Sequence, residues 1–544
     1  MKQSKYFFLL SLIAGLLYAS AFPIIFSPSF PPGALIGIFI FLKNLSTFST
    51  CKHPPDHHPL RHDLMHLLAF SLGHCIFGFY WLAHTMEVFG SLSPIVSHLL
   101  GLLFSLIILP QYLVFILAMH LITKVIDRRE SSFFPLLIAF FLTILEYYTP
   151  QQFPAHLGHP WLHLHPYLPF APIGGAPFYS FISFWLVISL ITYINERKID
   201  PLLAIIFPIF LITSLLFPLT MLNIKNIPIK ENNIRFVQAN IGNFLKIQSE
   251  NGENDLAGRT VDSIYSELSL TNLAGEKPDL IIWPETAFPK IQSTRLQKES
   301  PYYIPKIFDH IIYTTGAEMF VGGYDRTDES NSSSFETQYN TAFFFGLDHN
   351  GTTILKDYYH KRKLIPFGET LPFGPFNKYL SDIVTNISYF AAGERYPSFS
   401  LKNEAHFISA ICYEILFSSY IRDYLNSLKQ GQHPHFIINL TNDSWYGKTS
   451  EPYQHLFLSK WRAMEFQMPL LRMTNTGVTS ITYPDGSESE RIEIYKRDIL
   501  DIKLKSATNG PTPFQKYGLL NLLALFGVLI LLRFFLGLFN KSLF

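Results

Sequence analysis

The sequence predicts a multi-pass α-helical membrane domain joined to an α/β domain. The chain has 544 residues, of which 48% are hydrophobic and only 15% are charged. An ordinary soluble domain carries roughly 25% charged residues. Long apolar segments are concentrated before residue 223 and after residue 516. Between them, short β-rich runs alternate with segments of helical spacing, which is typical of a layered α/β fold.

Eight apolar segments are candidates for membrane helices, which need about 20 mostly apolar residues. They are 6–22, 31–45, 65–84, 95–123, 132–148, 175–194, 202–222 and 517–538. Segment 31–45 is short and begins at two prolines. Segment 6–22 also fits a signal peptide, because Lys2 and Lys5 precede an apolar core and Ala19-Ser20-Ala21 resembles a cleavage site. Both interpretations of this segment stay open.

The positions of Lys and Arg predict the orientation, because cytoplasmic loops carry an excess of these residues. Basic residues flank the first segment and follow segments two, four, six and eight: Lys2, Lys5, Lys43, Lys52, Arg61, Lys124, Arg128, Arg129, Arg197, Lys198 and Lys541. The loops 23–30, 85–94 and 149–174 contain neither Lys nor Arg. Both termini are therefore predicted to be cytoplasmic. Residues 223–516 are predicted to lie on the other side, which in a bacterium is the oxidising periplasm.

Charge and cysteine content exclude some classes of function. The net charge of +1 provides no basic field, so nucleic acid is not an expected partner. Three cysteines, at positions 51, 75 and 412, do not make a disulfide framework. Two histidine-rich stretches, 53–66 and 156–165, lack accompanying ligands at metal-site spacing, so no metal is predicted. Glu146 near the end of segment five is either a site residue or an interfacial carboxylate.

The segment from about 232 to 505 alternates predicted strands and helices. Strands are predicted at 234–239, 279–283, 319–323, 342–345, 353–359, 406–412, 435–439 and 470–474. Helices are predicted at 256–272, 303–314, 417–429 and 454–467. About 270 residues are enough for one large core. The predicted domains are 1–222, 223–510 and 511–544.

Polar residues follow three of the apolar strands. Glu285 comes after a strand that Pro284 ends, Lys361 lies in a basic run, and Cys412 ends an apolar run. A thiol, a carboxylate whose pKa burial raises, and an ammonium that stabilises an oxyanion make a complete acyl-transfer set. Taken singly, Glu285 is explained as a loop carboxylate, Lys361 as a solvated charge and Cys412 as a small core residue.

Four ordered motifs resemble those of the carbon–nitrogen hydrolase, or nitrilase, superfamily, whose fold is an αββα sandwich. They are WPETA (283–287), YHKRKLIPFGE (359–369), ICYE (411–414) and NLTNDSWYG (439–447). A domain of this kind, placed behind about seven membrane helices and before one more, resembles the apolipoprotein N-acyltransferase family. The stretches VQAN (237–240) and RAMEFQMPLLRMTNTG (462–477) extend the resemblance over nearly the whole chain.

The resemblance implies roles for individual residues. Glu285 corresponds to the general base, Lys361 to the triad lysine and Cys412 to the nucleophile. Supporting roles are implied for Glu369, Tyr413, Glu414, Asn340 and Trp445. The family often has tryptophan where Ile247 follows Lys246, so the acyl-chain contact at this position stays open. No metal or organic cofactor is implied.

The resemblance also implies a reaction. A fatty acyl chain moves from the sn-1 position of a phospholipid, through a thioester on Cys412, to the α-amino group of the S-diacylglyceryl cysteine of an apolipoprotein. The expected location is the bacterial inner membrane, and the expected state is a monomer. Segment 370–393 is rich in aromatic and aliphatic residues. It is either a lid, hinged at Gly374 and Gly393, that keeps water from the thioester, or a packed surface excursion.

Two alternative functions are a hydrolase for small substrates and a transporter. A membrane-tethered nitrilase or amidase acting on a small C–N substrate is the nearest alternative, although such a substrate needs neither seven helices nor an apolar excursion. A transporter with a periplasmic sensor domain is disfavoured, because the apolar segments offer few paired ionisable residues.

Overall fold

A computed structural model shows the architecture of the chain. It describes residues 2–48, 59–88, 90, 92–122, 133–221, 229–250, 255–273, 275–326, 338–381, 388–507 and 510–542. The chain forms two compact units. The first comprises Met1–Ile224, Thr449–Glu465 and Thr512–Phe544, and the second comprises Lys225–Lys448 and Phe466–Pro511. The segment Thr449–Glu465 groups with the apolar helices, although it lies within the predicted domain 223–510; the predicted domain boundaries stay a prediction.

The helices are numbered in chain order. They are α1 Lys2–Ser20, α2 Pro32–Asn44, α3 Pro59–Gly78, α4 Trp81–Val88, α5 Pro94–Leu103, α6 Pro110–Ile122, α7 Phe134–Tyr148, α8 Ala171–Glu196, α9 Pro201–Met221, α10 Asn243–Glu250, α11 Asp255–Leu270, α12 Thr294–Glu299, α13 Lys306–Thr315, α14 Asn377–Leu380, α15 Ser418–Ser427, α16 Glu451–Phe466, α17 Pro513–Tyr517 and α18 Leu520–Ser542. Every predicted apolar segment overlaps at least one of these helices.

By length and composition, two helical segments in the described residues can cross a membrane, and a bent pair of helices makes a third if it forms one span. They are Pro94–Ile122, Ala171–Glu196, and the bent pair Pro59–Gly78 and Trp81–Val88, whose axes differ by 65°. Five shorter apolar helices accompany them: Tyr6–Ser20, Pro32–Asn44, Phe134–Tyr148, Pro201–Phe217 and Leu520–Leu536. The predicted multi-pass helical domain is confirmed as a set of apolar helices.

Several ionisable side chains in the first unit make hydrogen bonds within that unit. Glu146 is 1% exposed, and its Oε1 accepts the backbone N–H of Leu157 at 2.8 Å, which holds the loop after α7. His62 and His66 hydrogen-bond to each other through their Nε2 atoms at 3.1 Å, and buried Asp63 accepts from His62. Positions 53, 57 and 58 of that histidine-rich stretch lie outside the described residues.

Helix α16 is held among the apolar helices by polar contacts near its N-terminus. The Gln454 side chain accepts a hydrogen bond from the indole of Trp81 at 3.1 Å and donates to the carbonyl of Gly78 at 3.1 Å. The Ser450 hydroxyl bonds the Tyr80 hydroxyl at 3.0 Å. These contacts explain why this segment belongs to the first unit.

The second unit contains two β-sheets. Its strands are β1 Ile229–Gln238, β2 Leu280–Trp283, β3 Ile291–Gln292, β4 Glu318–Arg326, β5 Gln338–Leu347, β6 Thr353–His360, β7 Phe399–Ser400, β8 His406–Ile411, β9 Phe436–Thr441, β10 Leu470–Thr474, β11 Ser480–Thr482 and β12 Asp498–Ala507. The first sheet has the order β12-β1-β2-β4-β5-β6, with β3 paired to β4. The second has the order β11-β10-β9-β8-β7.

The two sheets face each other through aromatic side chains. Phe407 of β8 contacts Phe320 of β4 and Phe344 of β5, with ring centroids 5.2 and 5.5 Å apart. On its other face the first sheet packs against α11 and α13, through a cluster that includes Tyr265 and Phe308. The predicted α/β layered domain is confirmed, and its predicted strands and helices all appear.

Strand direction determines which residues meet. Strands β1, β2 and β4 run parallel, and β5 is antiparallel to both β4 and β6. The ends of β2, β4 and β6 therefore lie at one edge of the first sheet, together with the start of β5. In the second sheet β8, β9 and β10 are parallel, so their ends also share one edge.

Candidate active site

Three strand ends supply the central side chains. Glu285 follows β2, in which all four residues are buried and which Pro284 ends. Lys361 follows β6 in the same sheet, and Cys412 follows β8 in the facing sheet. Since β2 and β6 end at the same edge, their polar side chains are brought together although 76 residues separate them.

The Glu285 carboxylate is held on both oxygens. Its Oε1 accepts from Asn340 Nδ2 at 2.8 Å and from Lys361 Nζ at 3.4 Å. Its Oε2 accepts the backbone N–H of Asn442 at 2.8 Å. The residue is 5% exposed, so these donors replace the water that a carboxylate otherwise needs.

Lys361 is fully buried between two carboxylates. Its Nζ lies 2.7 Å from Oε1 of Glu369 as well as 3.4 Å from Glu285. Burial by itself lowers the pKa of this lysine, but the charges of Glu369 and Glu285 outweigh it and raise the pKa above its usual range. The two carboxylates therefore favour the ammonium form of Lys361.

Asn340 and Glu369 complete this charged cluster. Asn340 stands near the start of β5, at the edge where β6 ends, and its Nδ2 donates to Glu285 and to Oε1 of Glu369 at 3.2 Å. The other Glu369 oxygen accepts the N–H of Ile365 at 2.9 Å. Both residues were implied by the resemblance alone, and they lie against the Glu285–Lys361 pair.

Cys412 is a buried thiol on a strained turn. The residue is 3% exposed and has φ +52°, a left-handed conformation that costs a non-glycine residue about 1–3 kcal/mol. Burial raises the pKa of the thiol well above its ordinary value, and Glu285 raises it further, while Lys361 lowers it. The resting thiol is therefore protonated at neutral pH, and a base must remove the proton before it reacts.

Glu414 ties the Cys412 turn to the Lys361 strand. Its Oε2 accepts the N–H of Ile411 at 2.8 Å, and its Oε1 accepts the N–H groups of Arg362 and Lys363 at 2.7 and 2.9 Å. The hydroxyl of Tyr359 donates to the same carboxylate. Glu414 is fully buried, and its contacts fix the Cys412 turn against the residues that follow Lys361.

Tyr413 and Trp445, the other two residues that the resemblance implies, differ in their exposure to solvent. Tyr413 is 4% exposed and packs edge-on against Phe417, with ring centroids 4.8 Å apart. Trp445 is 40% exposed and belongs to the 3₁₀ turn Asp443–Tyr446 after β9. Tyr413 is thus part of the buried turn, whereas Trp445 presents an indole ring at the surface.

Two known family models match this chain in different ranges. Residues 250–508 match the family model of the carbon-nitrogen hydrolases, and residues 14–189 match the apolipoprotein N-acyltransferase N-terminal domain. The two matched ranges follow each other along the chain in the same order as the apolar helices and the layered α/β unit. The chain belongs to the apolipoprotein N-acyltransferase family. It is accordingly an acyltransferase with a nitrilase-like α/β unit.

Individual relatives extend over most of the chain. An apolipoprotein N-acyltransferase of Haemophilus influenzae is 27% identical, over 98% of this chain and 95% of the relative. That of Haemophilus ducreyi is 28% identical, over 83% of each chain. Among solved structures, a mutant of the Nesterenkonia AN1 amidase from the nitrilase superfamily is similar with a TM-score of 0.32 and 15% identity, over 51% of this chain and 92% of the amidase.

The candidate site also contains buried polar residues that sequence reasoning did not single out. Asn439 donates to the carbonyl oxygens of Ala410 and Cys412 at 3.0 and 3.3 Å. Arg472 donates to Asn439 at 2.9 Å and to Asp443 at 2.8 Å. An Arg within the apolar run PLLRM is a signal in the sequence, because Arg is rarely buried without a partner.

Two glycines allow close backbone packing beside Glu285 and Lys361. A Cβ on Gly322 of β4 would stand 2.2 Å from the carbonyl oxygen of Pro284 and 2.7 Å from Cα of Glu285. A Cβ on Gly393 would stand 2.3 Å from the carbonyl oxygen of His360. The Gly393 N–H also donates to the carbonyl of Lys361 at 2.8 Å, so close packing explains this glycine and does not favour a hinge there.

The apolar segment 370–393 is described at 370–381 and 388–393. Phe390 and Tyr389 are buried, and the Phe390 N–H donates to the carbonyl of Glu369 at 3.0 Å. Phe376 and Tyr379 are instead 67% and 64% exposed. Gly374 has φ +57° and no heavy atom within 4 Å of a Cβ, so it retains conformational freedom. The lid stays a prediction, with its C-terminal end packed at Glu369.

Proposed function

We propose that this chain transfers a fatty acyl chain from the sn-1 position of a phospholipid to the α-amino group of the N-terminal diacylglyceryl cysteine of apolipoproteins. Family membership supports N-acylation of lipoproteins as the activity. The chemistry is supported by the buried Cys412 thiol and by the Glu285 carboxylate and Lys361 ammonium whose charges act on it. We propose Glu285 as general base, Lys361 as oxyanion stabiliser and Cys412 as nucleophile.

The first half-reaction forms a thioester. Glu285 accepts the proton of Cys412, and the thiolate attacks the sn-1 ester carbonyl, so that a C–S bond forms and the carbonyl π electrons move onto oxygen. The Lys361 ammonium and the Tyr413 backbone N–H stabilise that oxyanion. When the intermediate collapses, the ester C–O bond breaks, and Glu285 gives its proton to the glycerol oxygen. A lysophospholipid leaves.

The second half-reaction transfers the acyl group. The acceptor amine loses a proton to Glu285 and attacks the thioester carbonyl, so that a C–N bond forms and the C–S bond breaks. The proton returns to Cys412, which restores the resting thiol. Because the lysophospholipid leaves before the acceptor reacts with the thioester, the kinetics are expected to be ping-pong. Asn340 and the Asn442 N–H keep Glu285 oriented throughout.

The site is proposed to lie on the periplasmic side of the bacterial inner membrane. The support is the distribution of Lys and Arg in the loops, which favours cytoplasmic termini. Helix α16 shares a unit with the apolar helices and begins four residues after Gly447 of the NDSWYG motif. We expect a monomer that draws its donor from the surrounding bilayer.

Intact-protein mass spectrometry tests the proposal. The purified protein is incubated with phosphatidylethanolamine alone, and Cys412→Ala is the control. The expected result is a mass increase of one fatty acyl chain in the parent and none in the variant. A diacylglyceryl-cysteine peptide should then discharge the adduct. Absence of any adduct on the parent would overturn the thioester step, and small amides would be the next substrates to test.

A further inference from the structure

An apolar groove lies between helices α3 and α6 of the first unit. It encloses about 950 Å³, and the 3₁₀ turn Phe104–Leu106 before α6 contributes to its wall. Leucines line both sides: Leu60, Leu64, Leu67 and Leu68 on α3, and Leu109 and Leu113 on α6. The α3 leucines recur at helical spacing, so one face of that helix forms the groove. An apolar space of this kind suits a hydrocarbon chain better than water.

The groove extends from the start of α3 into the interior of that helix. Arg61 lines one end of it, and Ser71 lines the other. Ten helical steps of 1.5 Å separate these residues by about 15 Å, which is half of the hydrocarbon core of a bilayer, about 30 Å thick. The end of α6 lies beside the start of α3, because His120 Nε2 is 2.9 Å from Asp63 Oδ2. The groove therefore has about the depth of one leaflet.

Arg61 supplies a cation at the outer end of the groove. Its side chain is exposed, and it makes no hydrogen bond or ion pair within the described residues. The carboxylate of Asp63 is fully buried and is hydrogen-bonded to Ser46 and His120. It therefore neither pairs with Arg61 nor presents a negative charge at the surface. The Arg61 guanidinium is available to an anion that lies above an apolar chain.

We propose that this groove binds an anionic diacyl phospholipid, with its phosphate on Arg61 and one acyl chain between α3 and α6. The planar guanidinium of arginine matches phosphate oxygens in paired hydrogen bonds. Basic pockets between membrane helices bind lipid headgroups in this way. The distribution of Lys and Arg predicts that this end of α3 is cytoplasmic, so the occupant belongs to the cytoplasmic leaflet. The inference goes beyond the proposed acyl transfer, whose nucleophile Cys412 belongs to the second unit.

Photo-crosslinking of the full-length Cys412→Ala protein tests this site without turnover of the lipid. Nanodiscs of phosphatidylethanolamine contain a trace of phosphatidylglycerol with a diazirine on one acyl chain, and mass spectrometry locates the labelled residues. Leu109 and Leu113 are expected to be labelled more strongly than Leu99 of α5, which is 57% exposed and lies outside the groove.

Replacing the cation separates headgroup binding from packing. Arg61→Met is expected to lower groove labelling about fivefold, since one arginine near an anionic lipid surface contributes about 1 kcal/mol. Arg61→Lys keeps the charge and should retain most of the labelling. A diacylglycerol probe with the same chains should respond to neither change. The matched control is Lys198→Met, which removes an exposed lysine that pairs with Glu196 at 3.0 Å outside the groove.

Filling the groove provides a second test. Leu68→Trp places a larger side chain in it and is expected to lower labelling by both probes, whereas Leu121→Trp, at a 66% exposed position outside the groove, should not. Three results would overturn the proposal. They are equal labelling of the groove and of Leu99, an Arg61→Met effect that is absent or is the same for both probes, and unchanged labelling in Leu68→Trp.

Discussion

Replacing Gly322 by alanine tests whether the position of Glu285 controls acylation. Gly322 lies in β4 directly beneath the turn that carries the base. The added methyl group would stand 2.2 Å from the Pro284 carbonyl oxygen, 2.7 Å from Cα of Glu285 and 2.8 Å from the backbone N of Thr286. Real Cβ atoms stay about 3.0 Å or more from such atoms, so the turn must shift by about 1 Å.

The size of the effect follows from this shift. Inserting a methyl group into a packed interior costs about 1–3 kcal/mol of stability, which a folded domain usually survives. A displacement of about 1 Å in a catalytic group costs about a hundredfold in rate. Glu285 would also lose optimal geometry with Asn340 and with the Asn442 N–H, both now 2.8 Å away. Acylation should therefore fall much further than stability.

The assay measures the rate of thioester formation with phosphatidylethanolamine by rapid quench and intact-protein mass spectrometry. Gly322→Ala is expected to form the adduct about a hundredfold more slowly than the parent. Gly258→Ala on α11 is the control, because a Cβ there meets no heavy atom within 4 Å. Adduct formation at the parental rate by a folded Gly322→Ala protein would refute the reasoning.

Three further changes have defined outcomes. Lys361→Met is expected to slow thioester formation by about a hundredfold to a thousandfold, as loss of an oxyanion donor does; a rate within threefold of the parent would contradict this role. Arg472→Met removes the guanidinium that lies 2.8 Å from the buried Asp443 carboxylate and is expected to lower the free energy of unfolding by about 3–5 kcal/mol, whereas the exposed Arg491→Met should cost less than about 1 kcal/mol. Peptide-resolved iodoacetamide labelling of Cys412 should rise with pH and have its midpoint above the usual thiol pKa of about 8.5, because burial and then Glu285 favour the protonated form; a midpoint near pH 7 would show a preformed thiolate.

The sequence pattern predicted most of the helices and strands of the second unit. It also predicted the three strand ends that Glu285, Lys361 and Cys412 follow. Leu280–Trp283 is an apolar run that proline ends, and its four residues are buried as a central strand requires. Lys306–Thr315 has amphipathic spacing and packs on the sheet. The short or polar strands were missed: β3 and β7 have two residues each, and β12 alternates charged with apolar residues at the edge of the sheet. Local sequence carries little signal for a strand whose partner supplies half of its contacts.

The sequence by itself indicated an apolar part and a part in which predicted strands and helices alternate. It also indicated a carboxylate, a lysine and a thiol at strand ends. Only the tertiary structure decided which of them meet. Asn340 bridges Glu285 and Glu369 because β5 starts where β2 and β6 end. The Lys361 pKa rises because two carboxylates outweigh burial. The pairings of Asn340 with Glu285 and Glu369, and of Lys361 with Glu285, join residues 29 to 76 positions apart. They depend on strand order and direction, which no local pattern contains.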